Sequence, residues 1–294
     1  MACRRDAATM SLEALSDDVT SSLEHKGSRM LLKGRTAVIY GGGGAIGGAV
    51  ARAFGREGAR VFLAGRSQPR LDAVARDIIA DGGIVESAIV DVLEERAVEK
   101  HAAAVADKTG GIDITLNAVS FLHDQGTPLP DLSLEAFMHP IDTFLRSLFN
   151  TSKAVAPHMG KARPGVILTL TAPAARMAVP GHLGHIVSCA GIEAFSRALA
   201  ADLAPRNVRV LCIRPHAISD APDAGSYTNL LFESKARAAG LSVSQWIGGA
   251  AGTTMLKRLP TLSDVAETAV FLASDRSAAM TGTVTNLTCG AVID

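Results

Sequence analysis

Two histidines and a cysteine lie along one side of a predicted helix in the stretch GHLGHIVSCAGIEAFSRALA, residues 181–200. His182, His185 and Cys189 are spaced at i, i+3 and i+7, so their side chains share one face of that helix. An imidazole with an unperturbed pKa of about 6.5 gives or takes a proton near neutral pH. These side chains are therefore candidates for acid–base chemistry, for a metal site or for packing alone.

The metal and nucleophile interpretations are the weaker ones. A site formed by His182, His185 and His216 lacks a carboxylate and the usual ligand spacing, so we expect no metal. A Cys189–His185 nucleophilic pair is possible at i, i+4, but we expect Cys189 to face the helix-packing surface. A structural interpretation stays open for all four side chains, as parts of a pocket wall or as small buried groups.

A glycine run follows the first predicted strand in TAVIYGGGGAIGGAVARAF and opens a helix. Glycines let the backbone approach a pyrophosphate closely, and a helix N-terminus presents unpaired N–H groups. After the second predicted strand, where an NAD-binding chain usually has an acidic residue, this chain has Arg66 and Ser67. A guanidinium binds a 2′-phosphate in bidentate fashion, so we predict NADP(H) rather than NAD(H).

Short β-branched runs alternate with amphipathic segments from Arg35 onward. The helical patterns lie near 46–57, 69–81, 94–109, 133–159, 184–204 and 263–274. Strands separated by helices imply crossover connections and a parallel sheet covered on both faces. The pattern predicts an α/β fold, a three-layer Rossmann-type doubly wound sheet of about seven strands in a single domain.

The domain boundaries are predicted from composition. Residues 1–33 are mixed in charge and poor in aromatics, which predicts a flexible N-terminal extension before a domain at 34–294. Residues 219–260 lie between two predicted strands and are too long for an ordinary connection. We expect this segment, which contains the only tryptophan, Trp246, to form a lid over a substrate.

Charge and hydropathy restrict the partners. Twenty-nine basic and 29 acidic residues give a formal net charge of zero, so no basic field would hold nucleic acid or anionic lipid. No apolar run approaches the roughly 20 residues of a membrane span, and no apolar signal core precedes the domain. Four separated cysteines without a C-x-x-C pair indicate reduced thiols. We expect a cytoplasmic protein whose partner is a small-molecule substrate.

These residues together resemble the short-chain dehydrogenase/reductase family from about residue 32 to 294. The family's Thr-Gly-x-x-x-Gly-x-Gly is similar to Tyr40–Gly47, with Ala45 for the middle glycine, and LNAVS resembles its Asn-Asn-Ala-Gly. VDV at 90–92 resembles its adenine-contacting segment, and RLPTLSDVAETAVFLASDRSAAMTG at 258–282 its C-terminal helix. The implied cofactor-binding positions are Gly41, Gly43, Gly44, Ala45, Ile46, Gly47, Arg66, Ser67, Asp91, Val92, Asn117, Ala118, Pro215 and Ile218.

The catalytic positions of that family are exchanged in this chain. Its Tyr-x-x-x-Lys aligns with His185 and Cys189, and its serine aligns with Ala172, beside Thr171. Its structural asparagine aligns with Phe144. The chain has two tyrosines, and neither is followed by a lysine four residues on. The resemblance therefore implies that the family's ordinary proton relay is absent.

Two functions remain open. The first is an NADP(H)-dependent oxidoreductase acting on a small carbonyl, imine or enone. His185 would donate the proton near neutrality without a lysine, and Thr171 or Tyr227 would assist. The second is an NADP-binding protein of the same fold without redox activity, such as a non-redox enzyme, a sensor or a partner subunit. The resemblance also implies a homodimer or homotetramer through the helices near 133–159 and 184–204.

Overall fold

The computed structural model describes residues 30–294, in which seven parallel strands form one sheet. The strands are β1 (Thr36–Tyr40), β2 (Arg60–Gly65), β3 (Ile84–Ile89), β4 (Ile114–Asn117), β5 (Gly165–Leu170), β6 (Val208–Pro215) and β7 (Thr283–Leu287). Their order across the sheet is β3-β2-β1-β4-β5-β6-β7. The order reverses direction between β1 and β4, and a crevice opens there at the carboxyl ends of the strands.

Helices cover both faces of the sheet. They are α1 (Ala45–Arg56), α2 (Gln68–Ala80), α3 (Glu95–Thr109), α4 (Leu134–Val155), α5 (Leu183–Leu203), α6 (Thr228–Ala238), α7 (Val243–Gly248) and α8 (Leu262–Ala273). Helices α1, α2 and α8 share one apolar core with the sheet, whereas α3, α4 and α5 enclose a second core on the opposite face. The predicted three-layer doubly wound fold is confirmed.

The helix bounds agree with the sequence pattern to within a residue at most ends, and one end is wrong. The pattern near 133–159 predicts one continuous helix, but α4 ends at Val155 and a single 3₁₀ turn, Ala156–His158, follows. Pro157 lies inside that turn and has no N–H to continue the α-helical ladder. None of the helices in residues 30–294 has the length and hydrophobicity needed to cross a bilayer.

The start of the folded domain differs from the sequence-based prediction. Leu32 is fully buried in the first core, and the N–H of Leu31 donates to the Glu57 carboxylate at 2.7 Å. The folded domain therefore includes residue 31 and does not begin at 34, because an apolar side chain just before β1 packs beneath α1. Residues 1–29 of the predicted extension lie outside the described residues.

The lid segment 219–260 is largely helical and contains α6 and α7.

Candidate active site

The glycine run after β1 forms a turn that only glycine accommodates at two positions. Gly41 has a φ of +81°, and a Cβ there would lie 2.6 Å from the carbonyl oxygen of Ala118. A Cβ on Gly47 would lie 2.2 Å from the carbonyl oxygen of Gly41. The turn leads into α1, whose N-cap, Gly44, has no side chain that competes for the free N–H groups. The first turn of α1 is therefore available to an anion.

That turn forms one wall of a cavity of about 250 Å³, here called the glycine-loop cleft. Ten predicted residues line it: Gly41, Gly43, Gly44, Ala45, Ile46, Arg66, Ser67, Asp91, Val92 and Ala118. Arg70, which the sequence analysis missed, lines it as well because the first turn of α2, which contains it, lies against Gly43. Arg66 and Arg70 are both exposed, and neither makes an ion pair among the described residues.

The cleft fits a dinucleotide. Backbone N–H groups at the start of α1 match a pyrophosphate. Two guanidinium groups lie near the end of β2, where an NAD-type site has a carboxylate. Asp91 stands at the end of β3, with one carboxylate oxygen accepting from the N–H of Leu93 at 3.0 Å. These residues would hold a cofactor of the NAD(P)(H) type.

Four predicted cofactor-binding residues do not line this cleft. Asn117 is buried, and its amide donates to the Thr151 hydroxyl on α4 at 3.1 Å, so it ties β4 to that helix. Gly47 lies behind the turn and contributes space only. Pro215 and Ile218 line a second cavity instead. Asn117 faces α4 because side chains alternate along β4. Pro215 and Ile218 face the second cavity because of the direction of the chain after β6.

The second cavity, here called the histidine chamber, has a volume of about 340 Å³. It contains the three histidines that the sequence singled out, His182, His185 and His216. Most of the remaining wall is apolar and includes Leu170, Met177, Val179, Leu231, Phe232 and Ile247. Ile46, Ala118, Val119, Ser120, Ser226 and Tyr227 line both cavities, so the two are neighbours that share one wall.

His185 does not have the near-neutral pKa that the sequence analysis expected. Burial, followed by the neighbouring His123 and His182, lowers the pKa of His185 to about 3. Its ring is therefore neutral at pH 7 and is no ready proton donor there. The prediction was wrong because it used the solution value for a side chain that the fold places among apolar groups and other imidazoles.

His123 and Gln125 form the surroundings of His185, and the sequence analysis missed both. His123 lies in the loop after β4, 62 residues before His185, and its Nε2 is 3.0 Å from the Nδ1 of His185. The other ring nitrogen of His123 is 2.7 Å from the carbonyl oxygen of Phe121, and the Gln125 amide nitrogen is 3.0 Å from His123 Nε2. No local motif marks a contact between residues so far apart.

The positions that the sequence predicts for three of the family's catalytic residues carry a phenyl, a methyl and a thiol group. Phe144 packs edge-on against Phe121 and His123, with ring centroids 5.3 and 5.6 Å apart. Ala172 contributes a methyl group to the chamber wall. Cys189 lines the chamber, with its Sγ 3.8 Å from His185 Nε2, and burial raises the pKa of its thiol to about 11. Cys189 therefore stays protonated, which disfavours a nucleophilic role.

The remaining candidates are a threonine and a tyrosine. The Thr171 hydroxyl donates to the backbone carbonyl of Cys189 at 3.1 Å, so its proton is already engaged. Tyr40, on β1, is fully buried and lines neither cavity. Tyr227 lines both, and burial raises the pKa of its hydroxyl to about 12 while the nearby Ser120 side chain opposes the shift. Tyr227 thus presents a protonated phenol where the cavities meet.

The other two histidines are engaged locally. His182 Nδ1 is 2.7 Å from the carbonyl oxygen of Pro180, and His216 Nδ1 accepts from the N–H of Ala217 at 2.7 Å. Among residues 30–294, no three His, Cys, Asp or Glu side chains converge in a way that would hold a metal ion. The candidate reactive groups of the histidine chamber are thus the Tyr227 phenol and the His185 ring, which contacts His123 behind the wall.

Comparisons with known proteins agree with the fold. The family model described as enoyl-(acyl carrier protein) reductase matches residues 43–291. The 3-oxoacyl-(acyl-carrier-protein) reductase FabG of Chlamydia muridarum is 30% identical over 261 residues, covering 88% of this chain and 98% of that protein. The peroxisomal 2,4-dienoyl-CoA reductase of Saccharomyces cerevisiae is 31% identical over 262 residues, covering 86% of this chain and 82% of that protein.

A solved structure gives the same result. The crystal structure of a short-chain type dehydrogenase/reductase from Mycobacterium marinum superposes with a TM-score of 0.75 at 25% identity, covering 90% of this chain and 98% of that one. The chain belongs to the short-chain dehydrogenase/reductase family of oxidoreductases. Members of this family generally bind NAD(H) or NADP(H), act on small molecules and commonly form oligomers.

Proposed function

We propose that this protein is an NADP(H)-dependent oxidoreductase that acts on a small, apolar carbonyl, imine or enone with a rebuilt active site. One observation carries the proposal. A cleft with the shape and charge for a phosphorylated dinucleotide shares a wall with an apolar chamber, and Tyr227 and His185 are among the few polar groups that line that chamber. A bound NADPH would supply a hydride; the substrate's polar group must be met by this chain's own side chains.

The preference for NADP(H) rests on Arg66, Ser67 and Arg70. The two guanidinium groups are exposed at the end of β2, and no acidic side chain lines the glycine-loop cleft there. A carboxylate at this position would bind the ribose hydroxyl of NAD and repel a 2′-phosphate. The arrangement therefore favours the phosphorylated cofactor.

Tyr227 is the proton donor in this proposal. Its hydroxyl remains protonated at pH 7 because burial raises its pKa to about 12. A phenol held in a dry cavity stabilises negative charge that develops on a substrate oxygen, and one such donor is worth roughly 10² to 10³ in rate. His185 aligns with the family's tyrosine but is neutral, so it does not titrate near pH 7 and leaves the substrate oxygen to Tyr227.

The substrate class is inferred from the chamber wall. Apart from the histidines, Tyr227 and a few hydroxyl and amide groups, the wall is apolar, and none of residues 30–294 contributes a carboxylate or a cation to it. A volume of about 340 Å³ fits an organic molecule of moderate size. The relatives named as 3-oxoacyl and 2,4-dienoyl reductases act, by their names, on β-carbonyl and conjugated C=C groups. These two groups are within the proposed range.

The experiment combines binding with turnover. Purified protein is titrated with NADPH and NADH by nicotinamide fluorescence and then assayed against carbonyl, imine and enone panels for oxidation of the reduced nicotinamide. We expect tighter binding of NADPH and turnover on at least one panel. Tyr227→Phe should lower the turnover and retain NADPH binding. Equal binding of both nucleotides would contradict the cofactor assignment.

A second function is favoured by a specific observation. Phe144 and Ala172 replace polar members of the family's relay, and His185 is uncharged at pH 7. An NADP-binding protein without redox activity, such as a sensor, a partner subunit or a non-redox enzyme, needs no proton relay. Tight NADPH binding with no turnover on any panel would support this second function and reject the first.

A further inference from the structure

We propose that His123 is a positioning residue that holds His185 in the tautomer protonated at Nδ1, so that Nε2 of His185 accepts a hydrogen bond. The consequence is a choice of ligand: the chamber selects molecules whose polar group donates a hydrogen bond at this point, through an O–H or an N–H. The preference for substrates that donate a hydrogen bond rests on the proposed function, whereas the tautomer of His185 does not.

The proton on His123 is fixed by its backbone contact. Its Nδ1 lies 2.7 Å from the carbonyl oxygen of Phe121. A carbonyl oxygen only accepts, so Nδ1 of His123 must carry a proton. Burial lowers the pKa of His123, with His139 and His182 acting in the same direction, and the Phe121 carbonyl and Asp124 only partly oppose this. The ring is neutral at pH 7, and its Nε2 therefore has a lone pair and no proton.

The proton on His185 is fixed in turn by the contact between the rings. His123 Nε2 and His185 Nδ1 are 3.0 Å apart, and the two ring planes are inclined by only 16°. Two lone pairs facing each other at this distance would repel, so Nδ1 of His185 must carry the proton that joins them. The Gln125 amide nitrogen, also 3.0 Å from His123 Nε2, is a second donor toward the same lone pair. Its orientation agrees with the same tautomer of His123.

The remaining nitrogen of His185 is an acceptor. A neutral imidazole has one N–H, and His185 has its proton at Nδ1, so Nε2 has a free lone pair. The Cys189 Sγ lies 3.8 Å from this nitrogen and 3.9 Å from Nδ1, near the outer limit for a contact with sulfur. The thiol stays protonated, but an S–H is a weak donor. A hydroxyl or N–H entering the chamber would displace that weak contact.

The direction of the hydrogen bond at this position is thus opposite to that made by the family's tyrosine, because His185 accepts where the tyrosine donates. A phenol donates to a carbonyl oxygen, whereas Nε2 of His185 would face such an oxygen with a lone pair. His123 is 9% exposed and does not line the chamber, so it acts only through His185. The favoured ligands at this point are alcohols, amines and protonated imines. A ketone oxygen would have to turn toward Tyr227.

The first measurement is the tautomer itself. Protein labelled with ¹⁵N-histidine is studied by long-range ¹H–¹⁵N correlation at pH 7 without nucleotide, with His185→Phe assigning the resonances. We expect a protonated Nδ1 and an unprotonated Nε2 on His185. His123→Phe should allow the opposite tautomer, and the matched control His158→Phe, in the 3₁₀ turn after α4, should leave the pattern unchanged. A protonated Nε2 in the unsubstituted protein would overturn the proposal, even if His123→Phe fails to fold.

The second measurement is ligand choice. The probes are cyclohexanol and cyclohexanone, which share one ring and differ in the polar group. We expect the alcohol to shift the His185 Nε2 resonance and to bind about tenfold more tightly than the ketone. Tighter binding of the ketone, or no shift with any probe, would overturn the selectivity. Neither measurement uses turnover, so a protein without redox activity would refute the proposed function alone.

Discussion

The glycine-loop cleft and the histidine chamber share a wall but differ in what they are made of. Backbone groups and glycines build most of the cleft, and its contacts persist although Ala45 replaces a family glycine. Side chains supply the chemistry of the chamber, and the sequence predicts that His185, Cys189, Ala172 and Phe144 stand there at the catalytic positions of the family. The cleft therefore depends on the absence of side chains at a few glycines, whereas the chamber depends on the side chains that are present.

The chamber also illustrates how replacing one polar group of a network changes its neighbours. His185 is neutral beside His123, and the Thr171 hydroxyl is bonded to the backbone of α5. Buried polar groups must find partners, so exchanging the family's tyrosine and lysine for histidine and cysteine required new partners nearby. Substitutions in the cleft and in the chamber should therefore have separate effects.

The largest expected effect is in the chamber. Tyr227→Phe removes the phenol that faces both cavities and should lower kcat by roughly 10² to 10³, because one donor to a developing oxyanion is lost. Steady-state kinetics at saturating NADPH would measure it. The control is Leu230→Ala, an exposed lid residue, which should retain full activity. An unchanged kcat in Tyr227→Phe would remove Tyr227 from the mechanism.

The next effect tests the backbone-built region. Gly47→Val would place a Cβ 2.2 Å from the Gly41 carbonyl oxygen and force the turn open. We expect NADPH binding to weaken by about 100-fold, with the free energy of unfolding reduced by about 1–3 kcal/mol. Fluorescence titration and thermal denaturation would measure both. Gly249→Ala, where a Cβ meets open space, is the matched control. If the two variants bind NADPH and unfold alike, the close approach at Gly47 does not determine NADPH binding.

A smaller effect separates the cofactors. Arg66→Ala should weaken NADPH binding by about tenfold, since a charge-assisted hydrogen bond to phosphate is lost, and should leave NADH binding unchanged. Paired titrations with the two nucleotides would measure the ratio. Arg76→Ala, on the nearby helix α2 but outside the cleft, is the control. Parallel losses for NADPH and NADH would mean that Arg66 does not contact the 2′-phosphate.

The smallest effect is a pH dependence of stability that arises in the chamber. The pKa of His185 falls from 6.5 to about 3 on folding, so between these values the unfolded chain binds the proton more tightly. Stability from this group is therefore fully present above pH 6.5 and is lost progressively toward pH 3. Urea denaturation at pH 7.5 and 5.0 should show a smaller decrease for His185→Phe than for the unsubstituted protein. An equal decrease in both would place the titration elsewhere.

Much of the fold could be predicted from local patterns. The alternation of β-branched runs with amphipathic segments indicated the seven strands and the helices of the sheet layers, and Pro157 accounts for the one early helix end. The glycines and Arg66 indicated the cleft, because each depends on residues adjacent in sequence. Arg70 was missed although it lies close to Arg66 in the sequence, since only the structure shows that the first turn of α2 lies against Gly43.

The sequence by itself determined the layer order and the glycine turn, and it predicts the exchange of the family's catalytic residues, because these depend on residue types at fixed short spacings. Only the tertiary structure decided the surroundings of His185. It brought His123 to within 3.0 Å of His185 across 62 residues and removed water from both rings. The direction of the Asn117 amide toward α4 was decided in the same way. Proximity and desolvation set protonation states, and neither can be read from spacing along the chain.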